Sequence, residues 1–107
     1  MQSEKVDFLD SLHRSIYNVQ ALIEETPKRK DHKSYVDHMA DNFSCYVRWD
    51  SEVFKEYPKL KETVQSINSD LLAMATLDYY KYSKSCLAKI KSFEEQYEEL
   101  RTKYLNS

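Results

Sequence analysis

Three histidines are the side chains of this sequence best suited to acid–base, phosphotransfer or metal chemistry. His32 and His38 are six residues apart, so they do not share a helical face as metal ligands four residues apart would. His13 and His38 are the candidates for a phosphorylated histidine, but neither is followed by the Lys and Gly typical of helical phosphotransfer domains. We expect structural roles for all three, with a His-based phosphotransfer or metal site as an alternative.

The remaining nucleophiles form no recognisable catalytic motif. Cys45 and Cys86 fit neither a disulfide framework nor a zinc site, and Cys86 falls in an apolar seam typical of a buried thiol. The sequence has no Gly, which excludes a P-loop, a dinucleotide-binding turn and a Gly-x-Ser-x-Gly nucleophile elbow. We therefore expect no enzyme activity, no cofactor and no metal, and two unpaired cysteines favour the reducing cytoplasm.

Aromatic and cationic side chains alternate in one strip between residues 79 and 91. Tyr79, Tyr80 and Tyr82 point in three directions from one helix, so at least one should be exposed. Such a strip favours a protein-binding surface, and the residues predicted to bind a partner are Trp49, Asp50, Tyr79, Tyr80 and Tyr82. The alternative is nucleic-acid binding by Lys81, Lys84, Lys89 and Lys91, with tyrosines stacking on bases. A third interpretation is that the tyrosines only fill the edge of the core.

The overall charge and hydropathy narrow the classes of partner. Sixteen Lys and Arg against eighteen Asp and Glu give a net charge of −2, which argues against a dedicated nucleic-acid binder. No apolar run approaches the roughly 20 residues of a membrane span. The N-terminal residues lack the apolar stretch of a signal peptide. We expect a cytoplasmic protein that binds another protein or a second copy of itself, and no membrane.

Two of three segments show a clear helical pattern of apolar residues. The first, about Ser3 to Glu24, has apolar residues spaced three and four apart, with Ser3 as a predicted cap. The second, about Asp31 to Tyr57, has a similar seam that Asp50 interrupts. Either the helix breaks there, with Asp50 or Ser51 as a new cap, or the acid is partly buried with a partner.

The third segment, about Lys59 to Tyr104, contains two apolar seams that are out of register. A turn between about Asn68 and Asp78 would give two helices, and a single long helix with a displaced stripe is the alternative. The tripeptide Asn68–Ser69–Asp70 is the most turn-like, while Thr76 and Asp78 are further candidate caps.

The sequence therefore predicts one all-α domain spanning residues 1–107, an up-and-down antiparallel bundle in which four helices are favoured over three. Tyr46, Tyr97 and Tyr104 are expected to lie in the core. The other predicted core residues are Leu9, Leu12, Ile16, Val19, Ile23, Met39, Phe43, Val47, Leu60, Val64, Ile67, Ile90, Phe93 and Leu100. The expected function is that of a non-catalytic inhibitor, adaptor or immunity-type regulator.

Overall fold

Every regular element in the described part of the chain is an α-helix. The computed structural model describes residues 3–25 and 32–106, with side chains from 34 onward in the second range. The helices are α1 (Glu4–Glu25), α2 (His32–Tyr46), α3 (Glu52–Glu56), α4 (Pro58–Thr76) and α5 (Tyr79–Leu105). The predicted all-α helical bundle is confirmed. The molecule measures 47 × 22 × 21 Å, an elongated shape that suits long helices lying side by side.

The first helix begins at the cap that its sequence predicts. The Oγ atom of Ser3 accepts a hydrogen bond from the backbone N–H of Val6 at 3.2 Å. Glu4 and Asp7 occupy the first turn, where the helix dipole favours negative charge. Six apolar side chains on one face of α1 are buried, namely Val6, Leu9, Leu12, Ile16, Val19 and Ile23.

The second predicted segment is broken into two helices close to Asp50. The helix α2 ends at Tyr46, and Ser51 caps α3 by accepting a hydrogen bond from Val53 N–H at 3.2 Å. Asp50 lies exposed in the intervening turn. The structure therefore agrees with the first interpretation, in which the helix breaks near Asp50. In this exposed turn the carboxylate stays hydrated and needs no buried partner.

The third segment is also two helices, and its turn lies at Leu77 and Asp78. The carboxylate of Asp78 accepts a hydrogen bond from Lys81 N–H at 3.2 Å and so caps α5. The reversal needs no Gly because φ is −120° at Leu77 and −143° at Asp78. The expected turn at Asn68–Ser69–Asp70 is wrong, since these residues lie inside α4, where Asn68 accepts a hydrogen bond from the Ser44 hydroxyl.

The long helix α5 packs against α4 on one side and α1 on the other. Asp70 faces Lys89 and Thr63 faces Gln96, so α4 and α5 are antiparallel. His13 faces Glu94, while the carbonyl of Ile23 accepts a hydrogen bond from Tyr79, so α1 and α5 are antiparallel as well. The helix α2 packs mainly on α4.

The core contains nearly all the side chains that the sequence assigns to it. Of the fourteen predicted aliphatic and aromatic core residues outside the tyrosines, thirteen are buried and Met39 is half-buried against them. Tyr97 and Tyr104 pack at the core's edge, but the expectation for Tyr46 is wrong because its side chain is 77% exposed. Tyr46 directly precedes the buried Val47. Because successive residues of a helix are rotated by about 100°, the Tyr46 side chain points away from the core.

Candidate interaction surface

The five residues predicted to bind a partner lie at opposite ends of the bundle. Trp49 belongs to the end where its ring stacks on Phe54, which in turn meets Phe8 of α1. Tyr79 belongs to the other end, where it contacts Ile23 of α1. Phe8 and Ile23 are fifteen residues apart on one helix, a rise of about 22 Å. The structure therefore does not bring these five residues into one surface.

Trp49 is half-buried and closes one end of the core. Its indole N–H donates a hydrogen bond to the carbonyl of Ser44 at 3.1 Å, and its ring lies 6.1 Å from that of Phe54. A half-buried indole that packs on the core with its single donor satisfied is typical of a packing role. Asp50, the next residue, is exposed to solvent.

The three tyrosines at the start of α5 have three different environments. Tyr79 is 8% exposed, and its hydroxyl donates a hydrogen bond to the Ile23 carbonyl at 2.9 Å. Tyr82 packs partly against the core, with the Nζ atom of Lys81 5.4 Å from its ring centroid. Tyr80 is 64% exposed and meets Tyr79 edge to face. Tyr80 is therefore the tyrosine of this group that offers most of its ring to a partner.

The four lysines of the alternative nucleic-acid site do not form one patch. Lys89 faces α4 and pairs with Asp70, whereas Lys81 lies over Tyr82. Lys81, Lys84 and Lys91 are all exposed and, at spacings of three and seven residues, lie along one side of α5, apart from Lys89. Glu95 and Glu98 follow on that same face, where their negative charge would repel a phosphate backbone.

His13 lies in a polar seam that joins α1 to α5. Its ring stacks on Tyr97 at 4.2 Å between centroids, and its Nε2 atom is 3.4 Å from Glu94. One turn away, Asp10 accepts hydrogen bonds from the Tyr97 hydroxyl at 2.7 Å and from Arg101 Nε at 2.9 Å. Burial, and then this bond to Asp10, raises the pKa of Tyr97, so the phenol stays a donor.

The structure assembles no metal-binding group from the histidines whose side chains it describes. His38 is exposed on α2, and no cluster of three or more His, Cys, Asp or Glu side chains suited to a metal occurs within residues 3–25 and 34–106. The side chain of His32 lies outside the described residues. His13, stacked and hydrogen-bonded between two helices, has the contacts of a residue that fixes their register.

An ion pair between a buried acid and a partly exposed lysine lies between α4 and α5. The Asp70 side chain is 7% exposed, and its Oδ2 atom is 2.9 Å from Lys89 Nζ. Within the described residues this oxygen has no aligned hydrogen bond, so the lysine charge is what compensates it. Burial, with the Asp70 charge, raises the pKa of the neighbouring Cys86 thiol to about 12, which leaves the thiol protonated and unreactive.

A cleft of about 410 Å³ lies between α1 and the end of α2. Its apolar surface comes mainly from Phe8, which is half-buried, and from Tyr46, which is 77% exposed, because Leu12 and Val47 beneath them are buried. Two short side chains of α1, Ser11 and Ser15, leave the space open. The hydroxyl of Ser15 donates a hydrogen bond to the carbonyl oxygen of Ser11 at 3.2 Å.

The two rims of this α1–α2 cleft have opposite charge. Glu4 and Asp7 extend from the α1 rim, while Arg48 lies on the other rim, directly after Val47. This cleft was not predicted from the sequence, because its residues come from two segments. A usable signal was present, since Glu4, Asp7, Ser11 and Ser15 are spaced three, four and four apart and so share a polar flank beside the apolar seam of α1.

Comparison of the chain with protein-family models, with curated proteins and with solved structures finds no match in any of the three. Among the described residues, none of the helices combines the length and apolar character that crossing a membrane requires.

Proposed function

We propose that this protein is a non-catalytic intracellular binding protein, of the inhibitor, adaptor or immunity type, that holds a short segment of a partner protein in the α1–α2 cleft. The observation that carries the proposal is the cleft's combination of an apolar floor with charged rims. Peptide-binding grooves use the same combination, in which a buried apolar anchor supplies affinity and charges at the rim orient the partner.

The chemistry of the partner follows from the two rims. An aliphatic or aromatic side chain would pack on the cleft floor against Phe8 and the ring of Tyr46. A Lys or Arg beside that anchor would face Glu4 and Asp7, which are both exposed. The volume of about 410 Å³ is near the lower end for binding pockets, which suits one or two peptide side chains.

Tyr46 supplies the exposed aromatic contact that such an interface needs. Tyrosine is enriched at binding surfaces because it offers a large, rigid ring with a polar tip. Asp50, predicted from the sequence as a polar contact, lies in the same turn as Arg48 and remains part of the proposal. The free, exposed thiol of Cys45 beside Tyr46 supports a reducing compartment.

Selection from a displayed library of random nine-residue peptides tests this function. We expect recovered peptides to pair an aliphatic or aromatic residue with a neighbouring Lys or Arg, and to lose binding to Tyr46→Ala. Tyr17→Ala is the matched control, because Tyr17 is 60% exposed on α1 but does not line the cleft. Peptides that bind Tyr46→Ala as well as the wild type would contradict the proposal, as would a selection without enrichment.

A further inference from the structure

The solvent-facing side of α5 carries a stripe of residues with an unusual order of charges. The spacing along this stripe is four, three, four, four, three, four and three residues, so that all members share one face of the helix. In chain order the stripe consists of Tyr80, Lys84, Leu87, Lys91, Glu95, Glu98, Thr102 and Leu105. Leu87 is half-buried and the other seven are exposed.

The charges on this α5 stripe gain no stabilisation from the helix dipole. The lysines lie in the N-terminal half and the glutamates in the C-terminal half, the reverse of the order that the dipole favours at helix ends, and none of the four lies in the first or last turn, where the dipole acts. Within the described residues, no ion pair involves Lys84, Lys91, Glu95 or Glu98. Apart from the weak attraction between Lys91 and Glu95, which are four residues apart, the order of charges therefore gains little from α5 or from the rest of the bundle.

The stripe is nearly symmetric about its midpoint. When a second α5 is laid against it in the opposite direction, Lys91 of each copy falls opposite Glu95 of the other. In the same register, Lys84 of one copy falls opposite Thr102 of the other, one helical turn from Glu98 of that copy. Leu87 falls opposite Glu98. At each end Tyr80 falls opposite Leu105, and these two side chains are 64% and 51% exposed. Opposite charges thus meet in the middle and apolar side chains meet at both ends.

We propose that the protein forms a symmetric dimer in which the α5 stripes of two copies pack antiparallel. The occupant of the stripe is a second copy, because only a partner with the reversed order of charges matches both halves, and a twofold axis supplies that order. A shallow depression over Glu98, Thr102 and Asn106 lies where Tyr80 of the second copy arrives. The interface is separate from the α1–α2 cleft, so the dimer presents two clefts.

Analytical ultracentrifugation of charge-swapped variants tests the dimer. Lys84→Glu/Lys91→Glu makes the stripe wholly acidic, and Glu95→Lys/Glu98→Lys makes it wholly basic. Each variant alone should associate about tenfold more weakly than the wild type or worse, because like charges then face each other. An equimolar mixture of the two should dimerise again, which also shows that both variants are folded.

The matched control is Lys55→Glu/Lys59→Glu, which changes the net charge equally at exposed positions outside the stripe. It should dimerise like the wild type, and Tyr80→Ala should weaken the dimer without changing its dependence on salt. The proposal is overturned by a wild-type chain that stays at the monomer mass in low salt at high concentration. It is equally overturned by a dimer that neither charge-swapped variant weakens, or by a mixture that does not dimerise.

Discussion

Cys45 and Cys86 show how environment, more than residue type, decides the chemistry available at single positions. Cys45 is exposed, whereas Cys86 is fully buried beside the Asp70–Lys89 pair. Tyr79 and its neighbour Tyr80 show the same contrast. The hydroxyl of Tyr79 donates a hydrogen bond to the Ile23 carbonyl, whereas the ring of Tyr80 extends into solvent. Residue types alone predicted candidates at these positions, and packing decided which of them can meet a partner.

The two thiols should react at very different rates. Thiolates are the reactive species, and burial raises the pKa of Cys86 to about 12. We expect a disulfide reagent at pH 8 to modify one thiol per native chain quickly and two in denaturant, with mass spectrometry locating the first at Cys45. Rapid native modification of both thiols would mean that Cys86 is not enclosed as described.

The stability of the protein should fall far more when one partner of the ion pair between α4 and α5 is removed than when both are replaced. Lys89→Ala leaves the buried Asp70 carboxylate uncompensated, which should cost about 2 kcal/mol of unfolding free energy, less than for a fully buried pair because the lysine is 36% exposed. Asp70→Leu/Lys89→Met should restore most of that loss, because no buried charge remains. Urea denaturation measures both, and Lys59→Ala is the exposed-lysine control. A double variant no more stable than Lys89→Ala would refute this account.

At the scale of elements, helix ends depend on a few short polar side chains. Ser3, Ser51 and Asp78 each cap a helix and were all candidates in the sequence analysis. The Asn68–Ser69–Asp70 tripeptide has the same residue types, yet α4 continues through it because Asn68 bonds to α2 and Asp70 pairs with α5. Local composition therefore predicts where a helix can end, and tertiary contacts select among those positions.

The cap at Asp78 should contribute measurably to the α4–α5 turn. Asp78→Ala removes the acceptor for Lys81 N–H and should lower the free energy of unfolding by about 1 kcal/mol. Asp78→Ser should recover most of this, since a hydroxyl oxygen can accept the same bond. Asp50→Ala, at an exposed position in another turn, serves as control. Equal stability of Asp78→Ala and wild type in thermal denaturation would exclude a capping role.

A cluster of polar contacts around Glu56 joins the start of α1, α3 and the end of α5, and low pH should disrupt it. Glu56 pairs with Lys5 and accepts a hydrogen bond from the Tyr104 hydroxyl at 3.0 Å. These contacts, the one with Lys5 first, hold the pKa of Glu56 below its ordinary value of 4.5. The stabilisation is therefore complete above the ordinary carboxyl pKa and is lost as the pH falls through the lowered one.

Glu56→Gln should consequently melt below the wild type at pH 7, and the gap in melting temperature should close as the pH drops below the ordinary carboxyl range. Glu62→Gln provides a control, since Glu62 is exposed on α4. A difference in melting temperature that stays constant with pH would show that the charge of Glu56 does not stabilise these contacts.

At the scale of the whole molecule, the apolar periodicity was sufficient to predict the bundle and its core. The spacing of Leu9, Ile16 and Ile23 identifies one buried face, and the phase change after Met74 indicates the α4–α5 turn. The α1–α2 cleft was not predictable in this way, because its floor joins Phe8 to Val47 from separate helices. A concave site depends on how helices are placed relative to one another, which periodicity within one helix does not specify.

Isothermal titration calorimetry with a peptide recovered by selection tests the binding proposal most directly. If its Lys or Arg faces the acidic rim, Asp7→Lys should abolish most of the affinity, and replacing that peptide residue with Glu should restore it. Thermal denaturation confirms that the variant is folded. We expect this exchange of specificity between protein and peptide, and unchanged affinity of Asp7→Lys for the original peptide would contradict the proposed binding site.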